Sequence, residues 1–162
     1  MVTEHHVALF KLACRLVGDR IEAEDVVQET FQSVWKGRRN YQPGRGDRAW
    51  LATILRRRAA DAFRKRPLKL VLSGDRNLEV ETRGHDPLFD EYSDEVQRSL
   101  NQLPDELRET LLLVVVGELT HPEAADALGV PIGTVLSRVS RARNRLREYL
   151  SPPSARNMED EG

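Results

Sequence analysis

Residues 120–147 read THPEAADALGVPIGTVLSRVSRARNRLR. Thr120 is a good helix cap and Pro122 suits a first turn. Glu123, three positions on, completes a capping box, in which each side chain satisfies a backbone N–H that the helix start leaves open. Ala124, Ala125 and Leu128 make a small apolar face that a second helix can approach closely. Gly129 supplies the left-handed conformation that a sharp exit needs, and Pro131 can start the next helix. A short helix, a glycine-containing turn and a longer basic helix spell a helix-turn-helix.

On a wheel turning about 100° per residue, Ile132, Val135, Val139, Ala142 and Leu146 share one side, within roughly 80° of each other. Thr134, Ser137, Arg138, Arg141 and Arg145 form a second stripe roughly 120° away, and Arg143 and Arg147 fall on a third side. The aliphatic stripe predicts a docked helix. The polar stripe is uniform in sign and lacks the Glu–Lys mixing of a solvated face. In a helix-turn-helix the N-terminal part of the second helix enters the major groove, which here holds Thr134, Ser137, Arg138 and Arg141. Arginine bonds guanine edges bidentately, whereas serine and threonine suit phosphate or either base type. The competing reading of a merely solvated basic face loses weight beside the capped first helix and the glycine turn.

A formal net charge of -1 over 162 residues argues at first against a nucleic-acid partner. The charge is unevenly spread, however. Residues 1–66 carry 14 Lys/Arg against 8 Asp/Glu, and residues 131–150 carry 5 against 1. Residues 67–107 carry 4 against 10, residues 108–130 carry 1 against 4, and residues 151–162 carry 1 against 3. Recognition depends on the local field, which decays within about 8–10 Å at ordinary salt, so two basic segments survive the near-zero total.

The periodicity is helical nearly throughout, and the expected class is all-α: two small helical domains joined by a flexible linker, the C-terminal one holding the helix-turn-helix. A first helix over about Thr3 to Val17 buries Leu9, Phe10, Leu12, Ala13, Leu16 and Val17 and stops at Gly18. Asp19 starts a second helix, in which Ala23, Val26, Val27, Thr30, Phe31, Val34 and Trp35 follow helical spacing. After the loop GRRNYQPGRGD, Asp47 can cap a third helix that buries Trp50, Leu51, Ile54, Leu55, Ala59 and Ala62 or Phe63. Its basic end, FRKRP, predicts a boundary at Arg66, because proline disfavours helical geometry in the residue before it. Acidic residues 67–89, with Gly74, Gly84 and Pro87, read as a linker. Tyr92, Val96, Leu100 and Leu103 mark a further helix stopped by Pro104, and Leu107, Leu111, Leu112 and Val115 mark the next. The tail SPPSARNMEDEG is expected to be disordered.

Two separate motif sets then resemble one family. LNQLPDELRETLLLVVVGELTHPEAADALGVPIGTVLSRVSRARNRLREYL is similar to region 4 of bacterial sigma factors, and EAEDVVQETFQSVWK with WLATILRRRAADAFRKR resembles region 2. With nothing between them but a short linker, the layout is similar to the extracytoplasmic-function group. The resemblance implies a region 2 domain over 1–66, a linker over 67–89, a region 4 domain over 90–150 and a tail over 151–162. It implies a protein that binds core RNA polymerase and directs promoter-specific transcription initiation. Region 4 would read the −35 element through Thr134, Ser137, Arg138, Arg141 and Arg145. Region 2 would hold the clamp helices of the polymerase through Asp25, Gln28, Glu29 and Gln32. It would capture the melted −10 element with Tyr41, Arg48, Arg56, Arg57, Asp61, Arg64 and Lys65, since unpaired bases need stacking surfaces and their backbone needs cations. The sequence departs from the family pattern at Asp47, often aromatic, at Arg57, often Asn, and at Leu136, often Lys.

Other functions find little support. His5, His6, His85 and His121 show no metal-ligand spacing, and no phosphate loop or nucleophile constellation occurs. Neither enzymatic activity nor a cofactor or metal is expected. The longest apolar run, Leu111–Val116, is far short of the ~20 residues that span a bilayer, so no membrane insertion is expected. MVTEHHVALFK lacks a signal pattern and Cys14 is the single cysteine, which together predict a cytoplasmic protein. An anti-sigma factor is a further partner implied by the family. The alternatives are a sigma mimic that titrates an anti-sigma factor and a plain repressor. The first would not need the arginine stripe or FRKR, and the second would leave DVVQETF unexplained.

Overall fold

The computed structural model describes residues 2–41, 46–72 and 94–151. Every regular element among them is helical: α1 (Val2–Val17), α2 (Arg20–Lys36), a 3-10 turn (Arg38–Asn40), α3 (Asp47–Leu72), α4 (Asp94–Gln102), α5 (Asp105–Val115), α6 (His121–Leu128) and α7 (Ile132–Leu150). The chain divides into two compact units, Met1–Glu91 and Tyr92–Gly162. Most of the expected linker and tail, and residues 42–45 of the expected −10 loop, lie outside the described residues.

In the first unit α1, α2 and α3 pack pairwise. Gly18 breaks α1 with φ 73, a left-handed conformation costly to any residue with a Cβ. One residue later the Asp19 carboxylate accepts from the Glu22 N–H at 2.9 Å and starts α2. Leu12, Val17, Val26, Leu51 and Leu55 form the centre of the core. Thr30 is buried with them at little cost, because its hydroxyl donates to the Val26 carbonyl at 2.7 Å.

Expectations fail at Trp35 and at Pro67 in this unit. Trp35 is 68% exposed rather than buried. Four residues beyond half-buried Phe31, it has turned roughly 120° from the centre of the α2 core stripe. The second concerns Pro67, which α3 passes to end at Leu72, so the first residues of the expected linker are helical. Proline costs about 3 kcal/mol inside a helix and biases its neighbour, but it does not forbid continuation. The flanking residues of RKRPLKLVL include several good helix formers.

The second unit packs α7 against α4, α5 and α6. Leu111, Leu112, Leu113, Leu119 and Val135 supply the core. Thr120 accepts from the Glu123 N–H and Glu123 accepts from the Thr120 N–H, both at 3.2 Å, which closes the capping box on α6. Gly129 takes φ 67, and Pro131 precedes α7.

Candidate nucleic-acid interface

Val135, Val139 and Ala142 seat α7 in the core, with Leu146 half-buried. Ile132 does not join them. It is the first residue of the helix, about 50° off the centre of the buried stripe, and it is exposed. Of the five candidate −35 residues, Arg141 and Arg145 are exposed and Thr134 and Ser137 are half-buried, with the Ser137 hydroxyl donating to the Thr134 carbonyl at 3.1 Å. Arg138 is different. Only 18% of its side chain is accessible, and its Nη2 lies 3.6 Å from Glu106 Oε2 in the first turn of α5.

Thr134, Ser137, Arg141 and Arg145 share one flank of α7, and Arg138 is drawn away from it. Arg138 leans onto α5, while the direction opposite the buried stripe carries Ser137, Ser140 and Asn144, with Arg141 on one shoulder and Leu136 on the other. Ser140 is exposed in the middle of this ridge and was missed by attention to charge. Its position opposite the aliphatic stripe was the available signal.

In the first unit, Trp50, Arg57, Asp61 and Arg64 run at helical spacing along the outer side of α3. Trp50 is half-buried rather than core, and its ring lies 4.9 Å from that of Tyr41 at a 35° tilt. The Tyr41 hydroxyl donates to the Asp47 carboxylate. Asp47 is thus the first residue of α3 and orients Tyr41, where the sequence suggested only a cap. This hydrogen bond, then partial burial and the Asp47 charge, raise the Tyr41 phenol above its usual pKa. Arg64 pairs with Asp61 along the ridge, while exposed Arg48 and Lys65 and half-buried Arg56 point in other directions.

On α2, Asp25, Gln28, Glu29 and Gln32 are all exposed and share the face opposite the core. Exposed Ile21 and Trp35 stand at its two ends. The Trp35 ring is covered on one side by the Arg38 guanidinium, 4.2 Å from its centroid, and Arg38 Nη1 also donates to the Trp35 carbonyl at 2.7 Å.

The Sigma-70 region 2 family matches residues 1–67, and the Sigma-70, region 4 family matches residues 93–146. The ECF RNA polymerase sigma factor EcfG of Rhodopseudomonas palustris is 33% identical over 144 residues, covering 88% of this chain and 79% of the relative. The chain belongs to the ECF-type sigma factors.

A second relative of this sigma factor is the ECF sigma factor SigE of Mycolicibacterium smegmatis, 34% identical over 167 residues. That match covers 96% of the present chain and 62% of the relative's length. A solved structure of the sigma factor RpoE from Bartonella quintana, in complex with the anti-sigma factor NepR, superposes with a TM-score of 0.71 at 33% identity. It covers 91% of this chain and 94% of that one. The function of this sigma factor is promoter-directed transcription initiation, and its family consists of transcription regulators. The α7 ridge falls in the region 4 match, and the α2 and α3 faces fall in the region 2 match. Among the described residues no group of three His, Cys, Asp or Glu side chains is placed to hold a metal, and no helix is long and apolar enough to cross a membrane.

Proposed function

We propose that this sigma factor works in the cytoplasm as a non-enzymatic binding protein whose three faces have separate tasks. The outer face of α2, through Asp25, Gln28, Glu29 and Gln32, docks on core RNA polymerase. Tyr41 and the α3 cations Arg48, Arg56, Arg57, Arg64 and Lys65 hold the melted −10 strand, with Asp61 orienting Arg64. The ridge of α7 reads the −35 element through Thr134, Ser137, Arg141 and Arg145, and Arg138 positions the helix from behind through Glu106. An anti-sigma factor would act by covering one of these faces, a reading supported by the relative bound to NepR.

The observation that carries this function is the build of α7. Buried Val135, Val139 and Ala142 hold it on a capped α6, and its opposite side exposes Arg141 and Arg145. A sigma mimic that only titrates an anti-sigma factor would need no such ridge. The test is a run-off transcription assay on fragmented genomic DNA. Purified protein with core polymerase is expected to start transcripts at promoters that core alone ignores. Activity on no fragment would favour the mimic.

The α2 face has its own test. Gln28→Ala together with Glu29→Ala is expected to lower affinity for core polymerase by about tenfold, the loss of more than 1 kcal/mol typical of a centrally placed interface pair. Both side chains are exposed, so the circular dichroism spectrum should not change. An unchanged affinity would remove this face from the polymerase interface. Trp35 lies seven residues beyond Gln28, almost in line with it, so its exposed ring extends the same face.

A further inference from the structure

Between Leu136 and Arg147 the exposed side of α7 is polar at every position but the first. Ser137, Ser140, Arg141 and Asn144 offer donors or acceptors, while Leu136 offers neither and is 49% exposed. Leu136 stands one turn before Ser140 and two turns before exposed Arg143. Leu136 shares its shoulder of the ridge with Arg143 and Arg147, which follow two and three turns later, while Arg141 and Arg145 occupy the other shoulder. Leu136 lies in the N-terminal part of α7, the part of a recognition helix that enters the groove, whereas Arg143 and Arg147 on the same shoulder lie further along, where cations suit the phosphate backbone.

The major-groove edges of guanine, adenine and cytosine present donors and acceptors, and only thymine adds an apolar group, its C5-methyl. Pressing leucine against a polar edge strips water from groups that it cannot replace, which costs free energy. Pressing it against a methyl group buries apolar surface from both sides. On the reading that α7 binds the −35 element, we infer that Leu136 is a specificity-determining residue that selects a thymine there by contact with its C5-methyl group. Exposed Ile132, one turn earlier on the same shoulder, continues the apolar strip towards the edge of the groove.

Deoxyuridine pairs as thymine does but lacks the methyl, so it isolates this contact. Each −35 thymine of a promoter found by run-off transcription is replaced by deoxyuridine in turn, and affinity is measured with the reconstituted holoenzyme. At one position the wild-type protein is expected to lose about three- to fivefold, the equivalent of one buried methyl. Leu136→Ala should bind the natural promoter more weakly by a similar factor and be indifferent to deoxyuridine at that position, a non-additive cycle. Leu136→Arg should shift the preference there from thymine towards guanine. The inference is overturned if no thymine responds, or if wild type and Leu136→Ala respond equally at every position. It is also overturned if Leu136→Ala leaves promoter binding intact and instead weakens capture of an anti-sigma protein. Arg141→Ala in the same assay separates the two layers. If it too leaves affinity unchanged, the −35 reading of α7 fails; if it weakens binding while Leu136→Ala does not, only the thymine contact fails.

Discussion

Leu113→Ala is expected to destabilise the second unit strongly while leaving the first unchanged. Leu113 is fully buried in α5, the helix that packs against both α6 and α7. Truncating a buried leucine costs about 2–5 kcal/mol, the transfer term plus the cavity left behind. In a domain of this size each kcal/mol lowers the melting temperature by roughly 4–8 °C, and total stability is itself only about 5–15 kcal/mol. Hydrogen exchange on the full-length protein is the appropriate measurement. Protection of amides in α5, α6 and α7 should fall by at least about thirtyfold, the equivalent of 2 kcal/mol, while α1, α2 and α3 keep theirs. Promoter discrimination should be lost at 37 °C with polymerase affinity retained. Equal loss of protection in all helices would mean that the two units fold as one, contrary to their division at residues 91 and 92.

That expectation rests on a residue the helical period did not pick out: Leu107, Leu111 and Leu112 are buried as expected, but Val115 is 46% exposed and Leu113 is fully buried, because α5 is enclosed on nearly every side. The α6–α7 unit was readable because its signals are local. A capping box spans four residues, Gly129 acts at its own φ, and the α7 stripe needs only the helical period. The same period misled at Trp35 and Ile132, since a wheel gives direction but not how far the neighbouring helices reach. Pairings between distant residues leave no periodic trace. Arg138 and Glu106 lie far apart in the chain, and the partner that turns Arg138 away from the ridge could not be found from the arginine pattern. Arg108 is buried beside Asp105 at 3.3 Å, and Arg15 is buried in α1, although both would be counted as surface cations by composition. Tyr41, Asp47 and Trp50 were each noticed separately, as a stacking residue, a cap and a core residue. Their meeting at one loop–helix junction required coordinates.

The separation of Arg141 from Arg138 yields the largest functional effect. Arg141→Ala is expected to weaken promoter binding by about 5- to 150-fold, the 1–3 kcal/mol carried by a bidentate arginine–guanine contact. The loss should fall on sequence discrimination: the mutant should no longer distinguish the −35 element from one altered at a single guanine. Arg138→Ala should behave otherwise. Its partner Glu106 is solvent-exposed, so the ion pair contributes at most about 1 kcal/mol, and the aliphatic stem of Arg138 contributes packing against the unit. Losing both loosens α7 on α5, so affinity should decline by a similar, smaller factor on every DNA sequence. A gel-shift titration with holoenzyme, using matched and single-base-altered promoters, distinguishes the two. If Arg141 touches only phosphate, its mutant will instead lose affinity uniformly and reduce the salt slope by about one unit. If Arg138→Ala is the variant that loses discrimination, Arg138 must leave Glu106 when DNA binds, and the base-reading surface of α7 extends onto its α5-facing flank.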